Sequence, residues 1–129
     1  MNHVDPSRAV LLDFAPMDQT HTEFLRLLTE VQAASDNDLP QAWRLLLDHA
    51  TRQFDQEDTW MRDTAYASGQ THRLQHRVVL HLMQEALDKL QGHEWAEVRT
   101  MAQELGNWFG KHTQTMDAAL AMHLRQHDL

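Results

Sequence analysis

Apolar residues recur at three- and four-residue steps along almost the whole chain, the spacing of one face of an α-helix. The pattern divides into four runs. In the first, capped by Asp18 or Thr20 and reaching about residue 34, His21, Phe24, Leu25, Leu28 and Val31 share a face. The polar stretch Ser35-Asp36-Asn37-Asp38 interrupts it. Asp38 as N-cap and Pro40 in the first turn then announce a second helix to about residue 65. Its inner stripe reads Leu46, His49, Ala50, Gln53, Phe54, Glu57, Trp60 and Met61. Ser68-Gly69 is the next break, and a third helix over about 70–91 turns His72, His76, Val79, Leu80, Met83, Leu87 and Leu90 inward. Gly92 ends it as a C′ glycine. The fourth run, about 94–123, carries Val98, Met101, Leu105, Trp108, Phe109, His112, Met116 and Leu120. Gly106 and Gly110 interrupt it, each costing roughly 1 kcal/mol against alanine, and mark either close helix contact or a local bend.

There is no β-type alternation, internal repeat or low-complexity segment. Four amphipathic helices with short connections predict an all-α, up-down-up-down four-helix bundle over residues 17–129, preceded by an irregular arm, 1–16.

Charge and composition narrow the chemistry. A formal charge of −8 argues against nucleic acid or an anionic membrane as partner. The chain has no cysteine, which excludes disulfides, thiolate metal sites and thiol catalysis. No apolar stretch is long enough to span a bilayer, and the N-terminus lacks the basic-then-apolar order of a secretion signal. The expectation is a cytoplasmic protein. Ten histidines in 129 residues are the anomaly.

Several of those histidines fall where leucine belongs. His21 is on the inner stripe of the first helix, Glu57 on that of the second, His72 and His76 on the third, His112 on the fourth. A lone inward histidine is usually a hydrogen-bonded core residue. An i, i+4 pair such as HRLQH clamps a metal more readily. Polar groups from all four helices directed at one core require pairing or coordination, and a metal satisfies them together. The second helix is the odd one: in HATRQFDQED, His49, Gln53 and Glu57 step along one face, and glutamine is a poor ligand. His3, His81, His93, His123 and His127 take surface positions by default.

In these residues the chain resembles the hemerythrins, particularly the bacterial single-domain kind, over nearly its whole length. MDQTHTEF (17–24) is similar to the first-helix segment with its ligand histidine. QFDQED followed by TWM (53–61) is similar to a motif normally written HFxxEE and then methionine. HRLQH (72–76) matches the HxxxH pair, and WFGKHTQTMD (108–117) matches a tryptophan followed by HxxxxD. The resemblance adds Asp117, which lies about 140° round an α-helix from His112 and on spacing alone reads as a solvated charge.

The family implies two iron ions joined by a bridging oxo or hydroxo group and by the carboxylates of Glu57 and Asp117. His72, His76 and His112 complete one iron. His21 and a second-helix histidine hold the other, where dioxygen binds reversibly. Phe54 and Trp108 are the implied pocket walls. Two departures stand out. Gln53 occupies the second-helix histidine position, so Gln53, an oriented water or a shifted His49 fills the gap, or the second iron binds loosely. Thr115 replaces a bulky aliphatic residue beside the ligand and makes the pocket wetter. Both departures imply faster autoxidation than in an oxygen carrier. The function implied is oxygen sensing, storage or delivery, with sensing dependent on a separate signalling or redox partner protein. The alternatives are a di-iron enzyme turning over peroxide or nitric oxide, and a bundle holding zinc or no metal that acts as an interaction module.

Overall fold

A computed structural model describes residues 11–127. Its elements are α1 (Ala15–Ala33), α2 (Leu39–Asp63), α3 (Gly69–Gln91), α4 (Trp95–His112), a π-helical turn (Thr113–Asp117) and α5 (Ala118–Arg125), with no strand among the described residues. None of these helices is long and apolar enough to cross a membrane.

The chain enters α1 earlier than the cap assignment predicts. Phe14 is the N-cap and Pro16 lies in the first turn, where its missing N–H costs nothing. Asp18 sits inside that turn instead of ahead of it, and its carboxylate accepts hydrogen bonds from the N–H of Leu12 (2.8 Å) and of Phe14 (3.2 Å). The end of the arm is thereby tied to the bundle; residues 1–10 of the arm, His3 included, lie outside the described residues. Pro40 opens α2 as expected, but Asp38 makes no side-chain capping bond.

Two helix ends use a Schellman closure without glycine. After α2, Tyr66 N–H donates to Met61 O (2.9 Å) and Ala65 N–H to Arg62 O (3.2 Å), with Ala65 at φ 51°. After α3, Glu94 N–H donates to Lys89 O (2.9 Å) and His93 N–H to Leu90 O (3.1 Å), with His93 at φ 57°. Gly92 is therefore not the left-handed residue; it is the C-cap, at φ −83°.

Each helix packs on its neighbour in the chain, and α4 closes the ring against α1. One layer contains His21 from early α1, Glu57 from late α2, His72 from early α3 and His112 from the end of α4, so the helices alternate in direction. This is the up-down-up-down bundle.

The apolar interior is in two parts. The larger includes Phe24, Leu28, Trp43, Leu46, Phe54, Met83 and Phe109; the smaller is Leu12, Met17, Met61, Leu120, Ala121 and Leu124. Trp43 is satisfied within the larger core by donating its indole N–H to Met83 O at 2.9 Å. The polar layer lies between the two. In chain order, α1 reads Met17, His21, Phe24; α2 reads Phe54, Glu57, Met61; the last helices read Phe109, His112, Asp117, Leu120. Each fully buried large side chain contributes about 1.5–3 kcal/mol, so both cores hold the intervening polar layer in register.

The fourth run was expected to be one α-helix, and here the structure differs. α4 and α5 form a single helical path with the π turn inserted between them. Nothing lies within 4 Å of the Cβ position at Gly110, so this glycine is not there for close helix contact. Gly110 is helical, has no positive φ and faces open space. Gly110→Ala should therefore raise stability by about 1 kcal/mol, measured as a shift in the urea unfolding midpoint.

Candidate metal centre

The inner stripes bring six side chains together. His21, Glu57, His72, His76, His112 and Asp117 are each at most 3% exposed. One donor atom each from Glu57, His72, His76, His112 and Asp117 lies within 4.8 Å of the others. An octahedral ion with ligands at about 2.1 Å sets adjacent ligands about 3 Å apart and opposite ones about 4.2 Å apart, so the spacing suits one ion.

The carboxylates face two ways. Asp117 Oδ1 is 3.0 Å from His72 Nε2 and 3.1 Å from His112 Nε2, whereas its Oδ2 is 3.2 Å from His21 Nε2. Glu57 Oε1 is 3.2 Å from His76 Nε2, and its Oε2 is 3.2 Å from His21 Nε2. The centre thus has a three-histidine half and a His21 half, with one oxygen of each carboxylate in each.

These atoms are close without being aimed at one another. Glu57 Oε1, both Asp117 oxygens and His76 Nε2 are buried and make no well-aligned hydrogen bond. His72 Nε2 and His112 Nε2 approach to 3.1 Å, a contact in which two lone pairs repel unless a proton or a cation lies between them. Buried donors and acceptors are normally paired. Nitrogen and oxygen lone pairs converging on common points are the arrangement a bound cation satisfies, so the residues fit a metal centre.

Asp117 reaches this layer because of the π turn. A π turn spaces residues five apart along one face, and Asp117 is five residues after His112. The same extra residue turns Thr115 outward. Thr115 is exposed and its hydroxyl donates to Lys111 O at 2.7 Å, so it does not line the pocket assigned to it; the buried hydroxyl of this turn belongs to Thr113.

The aromatic walls also differ from expectation. Phe54 stacks on His76 with centroids 4.1 Å apart, and Trp108 stacks on His112 at 4.4 Å. Both rings serve the three-histidine half. The ring against His21 is Phe109, edge-on at 5.3 Å and itself stacked on Phe24 at 4.1 Å.

Outside the cluster, two polar residues orient the ligand rings. Asp58 Oδ1 is 2.8 Å from His76 Nδ1, and Gln75 Oε1 is 3.1 Å from His112 Nδ1. Each places the ring proton on Nδ1 and leaves the Nε2 lone pair facing inward. Spacing alone did not reveal these two residues, since each sits about 100° round the helix from its inward neighbour, Glu57 or His76. The available signal was their adjacency to inward ligand types within QFDQED and HRLQH.

Gln53 is 2% exposed, one turn before Glu57 on the same face. His49 is half-buried above it, its Nε2 lying 3.1 Å from Gln53 Oε1 and 2.9 Å from Thr20 O. His81 is exposed beside Glu85 (2.9 Å), and His93 stacks on Trp95 at 5.1 Å. His123 is not free on the surface as expected: it is half-buried, 2.8 Å from Thr64 Oγ1, and its ring meets Tyr66.

The model for the "Hemerythrin HHE cation binding domain" matches residues 13–124. The chain belongs to the hemerythrin family. This hemerythrin is 31% identical to a bacteriohemerythrin of Ralstonia nicotianae (strain ATCC BAA-1114 / GMI1000) over 120 residues, covering 93% of this chain and 88% of that one. No solved structure gives a significant match.

Without metal, the hemerythrin centre balances its own charge. Burial disfavours a charged His21, but the Asp117 and Glu57 carboxylates outweigh it and lift its pKa to about 9. Burial likewise opposes charge on His76, and Asp58 with Glu57 raises it to about 9. Burial pushes the Asp117 carboxyl up, yet His112, His21 and His72 hold it well below the usual carboxylate range. A histidine whose folded pKa is raised contributes stability that is complete below its ordinary 6.5 and disappears as pH rises through about 9. Metal-free protein should accordingly lose stability between pH 6.5 and 9 in denaturant titrations, whereas metal-loaded protein should not, because coordinated histidines are already deprotonated. Asp58→Ala should weaken metal retention about 10- to 100-fold in chelator competition, with the helical circular-dichroism signal retained.

Proposed function

We propose that this chain is a non-haem di-iron protein that binds dioxygen reversibly, in oxygen sensing, storage or delivery. The observation that supports this reading is the division of the two buried carboxylates, one oxygen of each near His72, His76 and His112 and the other near His21. In it, Glu57 and Asp117 would hold two irons, with an oxo or hydroxo group, between the two halves of the centre. His72, His76 and His112 would hold one iron, and His21 would be the one histidine among the described residues to hold the other.

The metal pair supplies the reversible electron exchange that dioxygen binding requires. The chain's own residues govern access, proton supply and polarity. Asp58 and Gln75 keep the His76 and His112 rings fixed while charge at the centre changes. Phe24 and Phe109 give the His21 half an apolar wall that limits water. Sensing would require a separate signalling or redox protein that reads the state of the centre.

Iron loading under anaerobic conditions followed by metal analysis and visible spectroscopy tests the proposal. The expected result is two irons per chain and a visible band that appears with oxygen and disappears when oxygen is removed. Sustained consumption of peroxide or nitric oxide instead identifies an enzyme. Retention of zinc alone, or of no metal, overturns the reading.

A further inference from the structure

Gln53 holds an amide group in the interior that the bundle itself does not satisfy. Its Nε2 is buried and has no hydrogen-bond partner among the described residues. The direction of the amide follows from His49. Thr20 O accepts hydrogen bonds only, so His49 Nε2, 2.9 Å away, carries a proton. The Gln53 atom 3.1 Å from that same Nε2 is then the acceptor oxygen. His49 therefore engages the amide oxygen, the one atom of Gln53 able to ligate a cation, and leaves the NH2 group to find an acceptor elsewhere.

The neighbouring residues belong to one half of the centre. Gln53 precedes Phe54 and Glu57 along the inner face of α2, and Glu57 Oε2 meets His21. Thr20, which receives the other half of the His49 proton, is the residue before His21. The unpartnered donor thus belongs to a side chain one turn from Glu57 that is linked through His49 to the α1 segment carrying His21. An NH2 group repels a cation and stabilises a negatively charged or lone-pair-bearing ligand.

We propose that Gln53 is a hydrogen-bond donor to the exogenous ligand of the His21 half, clamped in that orientation by His49, and that it makes this half selective for small anions. The assignment rests on the di-iron reading above. Gln53 is a positioning and specificity residue here, and His49 acts only through it.

Azide titration of the oxidised iron-loaded protein, followed by its visible charge-transfer band, is the test. Gln53→Met keeps side-chain length and removes the donor. It should raise the azide dissociation constant about tenfold or more while iron stoichiometry stays at the wild-type value. His49→Leu frees the amide to rotate and should weaken azide by a smaller factor; it also serves if Gln53→Met does not fold. Unchanged azide affinity in the folded variants overturns the proposal, as does loss of one iron in Gln53→Met, which would make the amide oxygen a ligand. Wild-type protein that holds no metal beside His21 overturns the di-iron reading itself, and this one with it. Wild-type protein that holds both irons, with azide binding indifferent to Gln53, overturns the amide assignment alone.

Discussion

Two carboxylates buried at the centre of a four-helix bundle are the constraint on which everything else depends. Glu57 and Asp117 are 1% and 0% exposed, and isolated charges at that depth are not tolerated. Four histidines from three helices surround them, and the metal-free protein meets the demand by protonating His21 and His76. Protons are a provisional answer. They leave several lone pairs converging without alignment, and a cation binds those same atoms in exchange for the protons. The affinity for metal is therefore built from buried donor atoms that the protein alone leaves poorly aligned.

The apolar cores keep those atoms in place. A bundle with one continuous core could let the polar side chains slide toward water. Here Met17, Met61 and Leu120 seal one side of the layer and Phe24, Phe54 and Phe109 the other. Phe54 and Trp108 also stack on His76 and His112, and Phe109 meets His21 edge-on, which restricts rotation of the ligand rings. Asp58 and Gln75 finish the task from outside by holding Nδ1. Position 53 adds a neutral amide to this layer, and its buried NH2 group has no partner among the described residues.

The π turn is the backbone's contribution. A regular helix cannot bring His112 and Asp117 to one layer, because five residues overshoot a turn of 3.6. Widening the turn over Thr113–Asp117 aligns them and moves Thr115 to the surface in the same stroke. A π turn is less favourable than the α-helix it interrupts and persists when other contacts demand it. Placing Asp117 against three histidines is such a demand.

Much was legible in one dimension because helices make it so. A period of 3.6 residues places His21, Glu57, His72, His76 and His112 on buried faces along with the leucines and phenylalanines beside them, and proline, glycine and polar clusters punctuate the runs. That arithmetic fails wherever the backbone leaves the α-helical period or where a contact joins separate helices. On spacing alone Asp117 reads as a solvated charge, because spacing assumes 3.6 residues per turn throughout, and only the resemblance supplies it as a ligand. The pocket position that the resemblance gives Thr115 fails because the π turn carries its side chain to the surface. Gly92 was assigned the left-handed position that His93 holds, since Schellman closures tolerate a strained non-glycine residue when packing secures the next element. Phe54 and Trp108 were correctly inward, but which half of the centre each ring faces depends on helix rotation within the ring of four. The sequence by itself determined the helices, their order and their polar inner positions, because those are local and periodic. Only the tertiary structure decided the π register, the two-sided carboxylates, the Asp58 and Gln75 supports and the orientation of Gln53, because each is set by atoms from different helices meeting in a space that neither defines alone.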